Sequence, residues 1–66
     1  MNEYEYRAYI KFLRMMQKEL ERIVQKELKG VKGAYIAVAS IIDLHFRITK
    51  LIEAIKEEKE NESNKY

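Results

Sequence analysis

The chain has 66 residues, of which 36% are charged and 47% hydrophobic, and its formal net charge at pH 7 is +2. It contains no cysteine and one histidine, which excludes disulfides, thiolate metal sites and multi-histidine sites. A chain of this length forms a single domain that buries little apolar surface, so we expect a stabilising device, and oligomerisation is the one left open.

The first predicted element is an amphipathic helix over residues 3–29. Asn2 and Glu5 have the three-residue spacing of an N-cap pair, and helix-forming residues fill the segment after them. Apolar side chains recur mostly at steps of three and four residues, which places them on one face of a helix. They are Tyr6, Tyr9, Ile10, Leu13, Met16, Leu20, Ile23, Val24 and Leu28.

The only two glycines, Gly30 and Gly33, separate this helix from the next and predict a turn over residues 30–32. Gly30 suits the left-handed position that follows a helix. A phosphate-binding loop needs a different glycine spacing after a strand, and the KH nucleic-acid module needs a sheet, but no strand is predicted here. We therefore interpret the glycine pair as a corner, with anion binding beside Lys29 and Lys32 as the alternative.

The second predicted helix covers residues 33–58, so residues 1–59 form a helical hairpin and residues 60–66 a disordered polar tail. Its first half is apolar around most of its girth, because two neighbouring apolar rows run along it. The first row is Ala34, Ala37, Ile41, Leu44, Ile48, Leu51 and Ile55, and the second is Val38, Ile42, His45, Thr49 and Ile52.

One antiparallel partner helix covers only one of these two rows, so a lone hairpin would leave a large apolar strip in water. We therefore predict an all-α fold in which two hairpins pair as a homodimeric four-helix bundle. The predicted dimer core is Ile41, Leu44, His45, Ile48, Leu51, Ile52 and Ile55.

A row of cations lies opposite the apolar face of the first helix, and we call these six residues the basic stripe. At about 100° per residue they fall within roughly 80° of arc that holds no acidic residue. Like charges four residues apart are mildly destabilising in a helix, so a partner is a plausible reason for the pattern. The basic stripe is Arg7, Lys11, Arg14, Lys18, Arg22 and Lys29.

The basic stripe has four possible interpretations, three of which involve a partner. Nucleic-acid backbone is the leading candidate, because a long cationic row tracks phosphates. A protein partner without nucleic-acid contact is the alternative, and a solvated face is the plainest interpretation. Membrane-surface contact is the weakest, because the apolar face of the first helix is needed for the core.

The sequence indicates no enzyme, cofactor, metal or small-molecule substrate. His45 lies in an apolar row without a partner at helical spacing, so we expect a buried, hydrogen-bonded core residue. The N-terminus is acidic and aromatic, unlike a signal peptide, and the longest uncharged stretch, 33–42, is too short to span a bilayer. We expect a cytoplasmic protein, and the abundance of Lys, Glu and Ile leans toward a heat-adapted source.

Two long helices, a glycine corner and an alternating seam resemble the Rop-type dimeric helical hairpins of plasmids and small viruses. The resemblance covers residues 3–58 and concerns architecture only, since no sequence motif matches. Rop-like proteins bind paired RNA hairpins on the face formed by both first helices, which here are the basic ones. The resemblance therefore implies a dimer that binds nucleic acid, whereas other dimeric hairpins act as protein adaptors.

Overall fold

The computed structural model describes residues 1–63, which form two antiparallel helices and, within that range, no strand. Helix α1 spans Glu3–Arg22 and continues into a π-helical turn at Ile23–Glu27, and helix α2 spans Tyr35–Ser63. The all-helical hairpin predicted from the sequence is thus confirmed. Neither helix, over the range described, has the length and apolarity needed to cross a membrane.

Helix α1 begins at the predicted N-cap. The backbone of Asn2 is extended, and its side-chain oxygen accepts a hydrogen bond of 2.7 Å from the Glu5 amide. The Glu5 carboxylate accepts in return from Asn2 Nδ2 at 2.9 Å. This reciprocal pair satisfies a helix-end N–H group that would otherwise lack a partner, and it fixes where the helix starts.

The C-terminal end of the first helix differs from the prediction. Regular α-geometry ends at Arg22, and the Leu28 amide donates to the Ile23 carbonyl at 2.9 Å, five residues back. The helix predicted over 3–29 is therefore wrong at its last turn. The wider turn places Leu28 above Ile23, and both side chains are half-buried. Single π-turns of this kind occur often at functional sites.

The glycine spacing follows from two consecutive β-turns. The Val31 amide donates to the Leu28 carbonyl at 3.1 Å, and the Ala34 amide donates to the Val31 carbonyl at 3.2 Å. Each turn has glycine at its third position, where Gly30 has φ +78° and Gly33 has φ +83°, as a type II turn requires. The left-handed Gly30 was predicted, but Gly33 belongs to the turn and does not start α2.

Helix α2 continues past the predicted end at residue 58. Residues 60–63, predicted as part of a disordered tail, are helical, and residues 64–66 lie outside the described range. The extension is held against the start of α1 by two ion pairs. The Met1 ammonium lies 2.9 Å from Glu62 Oε1, and Lys59 Nζ lies 3.3 Å from Glu3 Oε2. These contacts link the two ends of the chain, so local sequence did not reveal them.

The core of the hairpin is small. Among the described residues only Leu13, Ile48 and Ile52 are buried, and Ile10, Leu20 and Ile55 pack against them. Beside them a polar contact joins the helices: Gln17 Nε2 donates to Thr49 Oγ1 at 2.7 Å and to the His45 carbonyl at 3.2 Å. The fold is a thin slab, with extents of 55 × 17 × 10 Å.

The two consecutive β-turns, which we call the tandem turn, can be tested directly by substitution of their glycines. We expect Gly30→Ala and Gly33→Ala each to lower the free energy of unfolding by about 1 kcal/mol, because each forces a side chain into positive φ. No heavy atom lies within 4 Å of a Cβ built at either glycine, so the loss would be conformational rather than steric. Urea denaturation measures it.

The matched control is Lys32→Ala, an exposed position between the two glycines that has no positive φ. This variant should unfold at nearly the wild-type urea concentration. Glycine variants as stable as Lys32→Ala would contradict the tandem turn.

Candidate functional site

The basic stripe follows α1 over five of its six predicted members. Arg7, Lys11, Arg14, Lys18 and Arg22 are all exposed and lie on the side of α1 away from Leu13. Lys29 departs from the prediction, because the π-turn and the end of the helix place it in the turn that follows. The stripe on α1 is therefore about 22 Å long at about 1.5 Å per residue.

Acidic neighbours neutralise both ends of the stripe. At one end Arg7 Nε lies 3.0 Å from Glu3 Oε1. At the other Arg22 Nη2 lies 2.6 Å from Glu19 Oε1 and 2.8 Å from Glu27 Oε1. Hydrogen bonds from Lys59 and Arg7 lower the pKa of Glu3, and one from Arg22 lowers that of Glu19. Both carboxylates are thus ionised at neutral pH and offset the cations beside them.

The centre of the stripe has no such compensation. Within residues 1–63 no ion pair involves Lys11, Arg14 or Lys18, which occupy successive turns of α1. They form a positive patch about 10 Å long. Tyr4, 82% exposed, lies on the same arc of α1 one turn before Arg7. We call Lys11, Arg14 and Lys18 the central cations.

A second surface is apolar and comes from both helices. Its members lie on one side of the buried rows and are 37% to 61% exposed. We name this surface the apolar flank, and at about 100° per residue it lies about 150° around α1 from the basic stripe. The apolar flank is Tyr9, Phe12 and Met16 of α1 with Leu44 and Leu51 of α2.

The predicted dimer core therefore divides into three groups. Ile48 and Ile52 are only 5% exposed, so the hairpin alone covers them and a second hairpin would add little to their burial. Ile41, His45 and Ile55 are half-buried. The exposed members are Leu44 and Leu51, which belong to the apolar flank. The sequence pattern did not distinguish these groups, because it could not show which row faces α1.

The other side of the hairpin carries an open groove of about 400 Å³ between the π-turn region and α2. Leu20, Val24, Ile42 and Phe46 form its apolar walls, and Glu21, Gln25, Ile41, His45 and Thr49 complete the lining. Neither the groove nor the wider turn beside it was predicted, because both depend on how the two helices pack.

His45 lies in this groove, and the structure gives it a partner. Its Nε2 lies 3.1 Å from Glu21 Oε1, and its side chain is 33% exposed. The prediction that His45 is hydrogen-bonded is confirmed. The prediction that it is buried is wrong, because the groove in which it lies is open to solvent. Helical spacing could not identify Glu21 as the partner, since the two residues are on different helices.

A second depression continues from the groove toward the turn. It is lined by Val24 and Gln25, which the groove shares, and by Lys26 and Lys29. No ion pair within residues 1–63 involves either lysine. The groove is thus apolar along its walls, and the depression that adjoins it toward the turn is basic.

The described residues hold no cluster of three or more His, Cys, Asp or Glu side chains that could bind a metal ion. Comparison of the chain with protein-family models, with curated proteins and with solved structures gives no significant match.

Proposed function

We propose that this protein is a non-enzymatic homodimer whose two hairpins pair as a four-helix bundle and present the basic stripe to nucleic-acid backbone. The observation that carries the nucleic-acid assignment is the set of central cations. Three positive side chains on successive turns, with no acidic partner within residues 1–63, are suited to contact consecutive phosphates.

The size of the exposed surface supports the dimer. The accessible area is 5548 Å², whereas a compact monomer of 8.0 kDa exposes about 4,450 Å². The radius of gyration is 15.5 Å, compared with about 11 Å for a compact 66-residue domain. The excess of about 1,100 Å² is comparable to the roughly 800 Å² that each partner buries in a standard interface.

The apolar flank is the surface through which the hairpins pair in this proposal. It draws aromatic, Met and Leu side chains from both helices, as the fully buried centre of an interface does. Because it lies about 150° around α1 from the basic stripe, pairing through it leaves both stripes open to a ligand. A two-fold dimer then offers its central cations twice.

An adaptor that binds only proteins is the competing function, and it predicts the same dimer without any nucleic-acid affinity. The resemblance to Rop-type hairpins favours nucleic acid through the basic first helix, and it is an argument from architecture. The two functions are separated by the salt titration described below.

The dimer is tested by charge substitution on the apolar flank. We expect wild type to show about twice the 8.0 kDa chain mass in light scattering at micromolar concentration. Leu44→Glu and Leu51→Glu should each weaken the dimer at least about a hundredfold, or about 3 kcal/mol, because each would bury an unpaired charge.

The matched control is Ile42→Glu, which places the same charge on an exposed apolar position of α2, on the groove side. This variant should stay dimeric. If Ile42→Glu dissociated the dimer and Leu44→Glu did not, the interface would lie at the groove and not at the apolar flank. A folded, monomeric wild type would contradict the four-helix bundle.

Nucleic-acid binding is tested by a salt titration of affinity for a DNA or RNA duplex in a mobility-shift assay. Each phosphate contact on duplex DNA contributes about 0.9 to the slope of log affinity against log salt. Replacing Arg14 and Lys18 together with Gln should therefore lower the slope by about two units for each stripe engaged. Folding should be unchanged or slightly better, because a like-charge pair is removed.

Lys50→Gln with Lys56→Gln removes the same charge from α2 and should change the slope much less. Equal effects of the two double variants would assign binding to net charge rather than to the stripe. Wild type that binds neither DNA nor RNA at about 50 mM salt, where phosphate contacts are strongest, would refute the nucleic-acid function and favour the adaptor.

A further inference from the structure

We infer that the groove between α2 and the π-turn region binds an amphipathic helical segment of a partner protein, with apolar side chains in the groove and acidic side chains at its basic end. This site includes none of the central cations and no member of the apolar flank, and it shares with the predicted basic stripe only Lys29, which lies in the turn after α1. The inference is independent of the proposed nucleic-acid binding, because that proposal is carried by the central cations.

The shape and lining of the groove fit apolar anchor residues. Its volume of about 400 Å³ lies within the usual range of roughly 300–1,000 Å³ for binding pockets. Phe46 and Ile42 are 58% and 61% exposed, an unusual state for large apolar side chains that lie next to each other on one turn of a helix. The π-turn forms part of the opposite wall, and such turns recur at functional sites.

The charged residues in and beside the groove indicate which kind of partner segment would bind. Of the described residues, Glu21 is the only carboxylate that lines the groove, and it is hydrogen-bonded to His45. The adjoining depression presents Lys26 and Lys29, which have no ion pair within residues 1–63. Acidic side chains at one end of the bound segment would pair with these lysines, whereas a basic segment would meet them with repulsion.

The geometry favours a helix over an extended peptide. The described residues offer no sheet edge to which a strand could add, so main-chain pairing is not available. A third helix laid between α2 and the π-turn region would place residues at i, i+3, i+4 and i+7 against the apolar walls. Its far side would remain in water, as the modest depth of the open groove requires.

The test uses a library of random 15-residue peptides displayed on phage and selected on the purified full chain. We expect enriched sequences with apolar residues at helical spacing and acidic residues clustered at one end. Synthetic copies should bind wild type in fluorescence anisotropy. Ile42→Glu should lower the affinity for these peptides at least tenfold, and so should Lys26→Glu combined with Lys29→Glu.

Leu44→Glu is the control, since it lies on the apolar flank and outside the groove. Peptide binding that persists in this variant supports the site even if the hairpin no longer dimerises or binds nucleic acid. Failure to enrich any peptide, enrichment of basic sequences, or equal binding to wild type and Ile42→Glu would each overturn the inference.

Discussion

A two-helix hairpin gives each helix one neighbour, and this constraint governs everything else in the structure. Helix α2 carries more apolar surface than α1 can cover. Among the described residues the hairpin buries three, and it leaves Leu44 and Leu51 exposed on one side and Ile42 and Phe46 exposed on the other. So small a core is marginal for a domain of this size. The uncovered surface is therefore the feature that a functional explanation must account for first.

The central cations, the apolar flank and the groove share no residue. The flank and the groove lie on opposite sides of the hairpin, so the proposed second copy, nucleic acid and partner segment would each contact a different surface. The ion pairs divide the stripe in the same way: acidic side chains offset the cations at its ends, whereas within residues 1–63 the central cations have no ion pair. The proposed contact with phosphates rests on this central region.

Local rules predicted the parts of this structure that depend on local interactions. The cap at Asn2 and the left-handed Gly30 follow from the chemistry of helix ends. The π-turn was missed because Ile23, Val24 and Leu28 fit α- and π-spacing equally well. The extension of α2 to Ser63 was missed because Lys59 pairs with Glu3 across the fold. The ion pairs of Arg7 with Glu3 and of Arg22 with Glu19 have α-helical spacing that is visible in the sequence. The groove could not be predicted in this way, because it depends on how the helices pack.

The claim that a second hairpin covers the apolar flank is tested most directly by distances between two copies. The chain has no cysteine, so Ser40→Cys carries a single spin label at an exposed position of α2. Pulsed electron paramagnetic resonance should give one narrow inter-copy distance at micromolar concentration, and this distance should vanish in the Leu44→Glu background and persist in Ile42→Glu. The absence of dipolar coupling in the otherwise unaltered chain, with α-helicity intact, would contradict the claim.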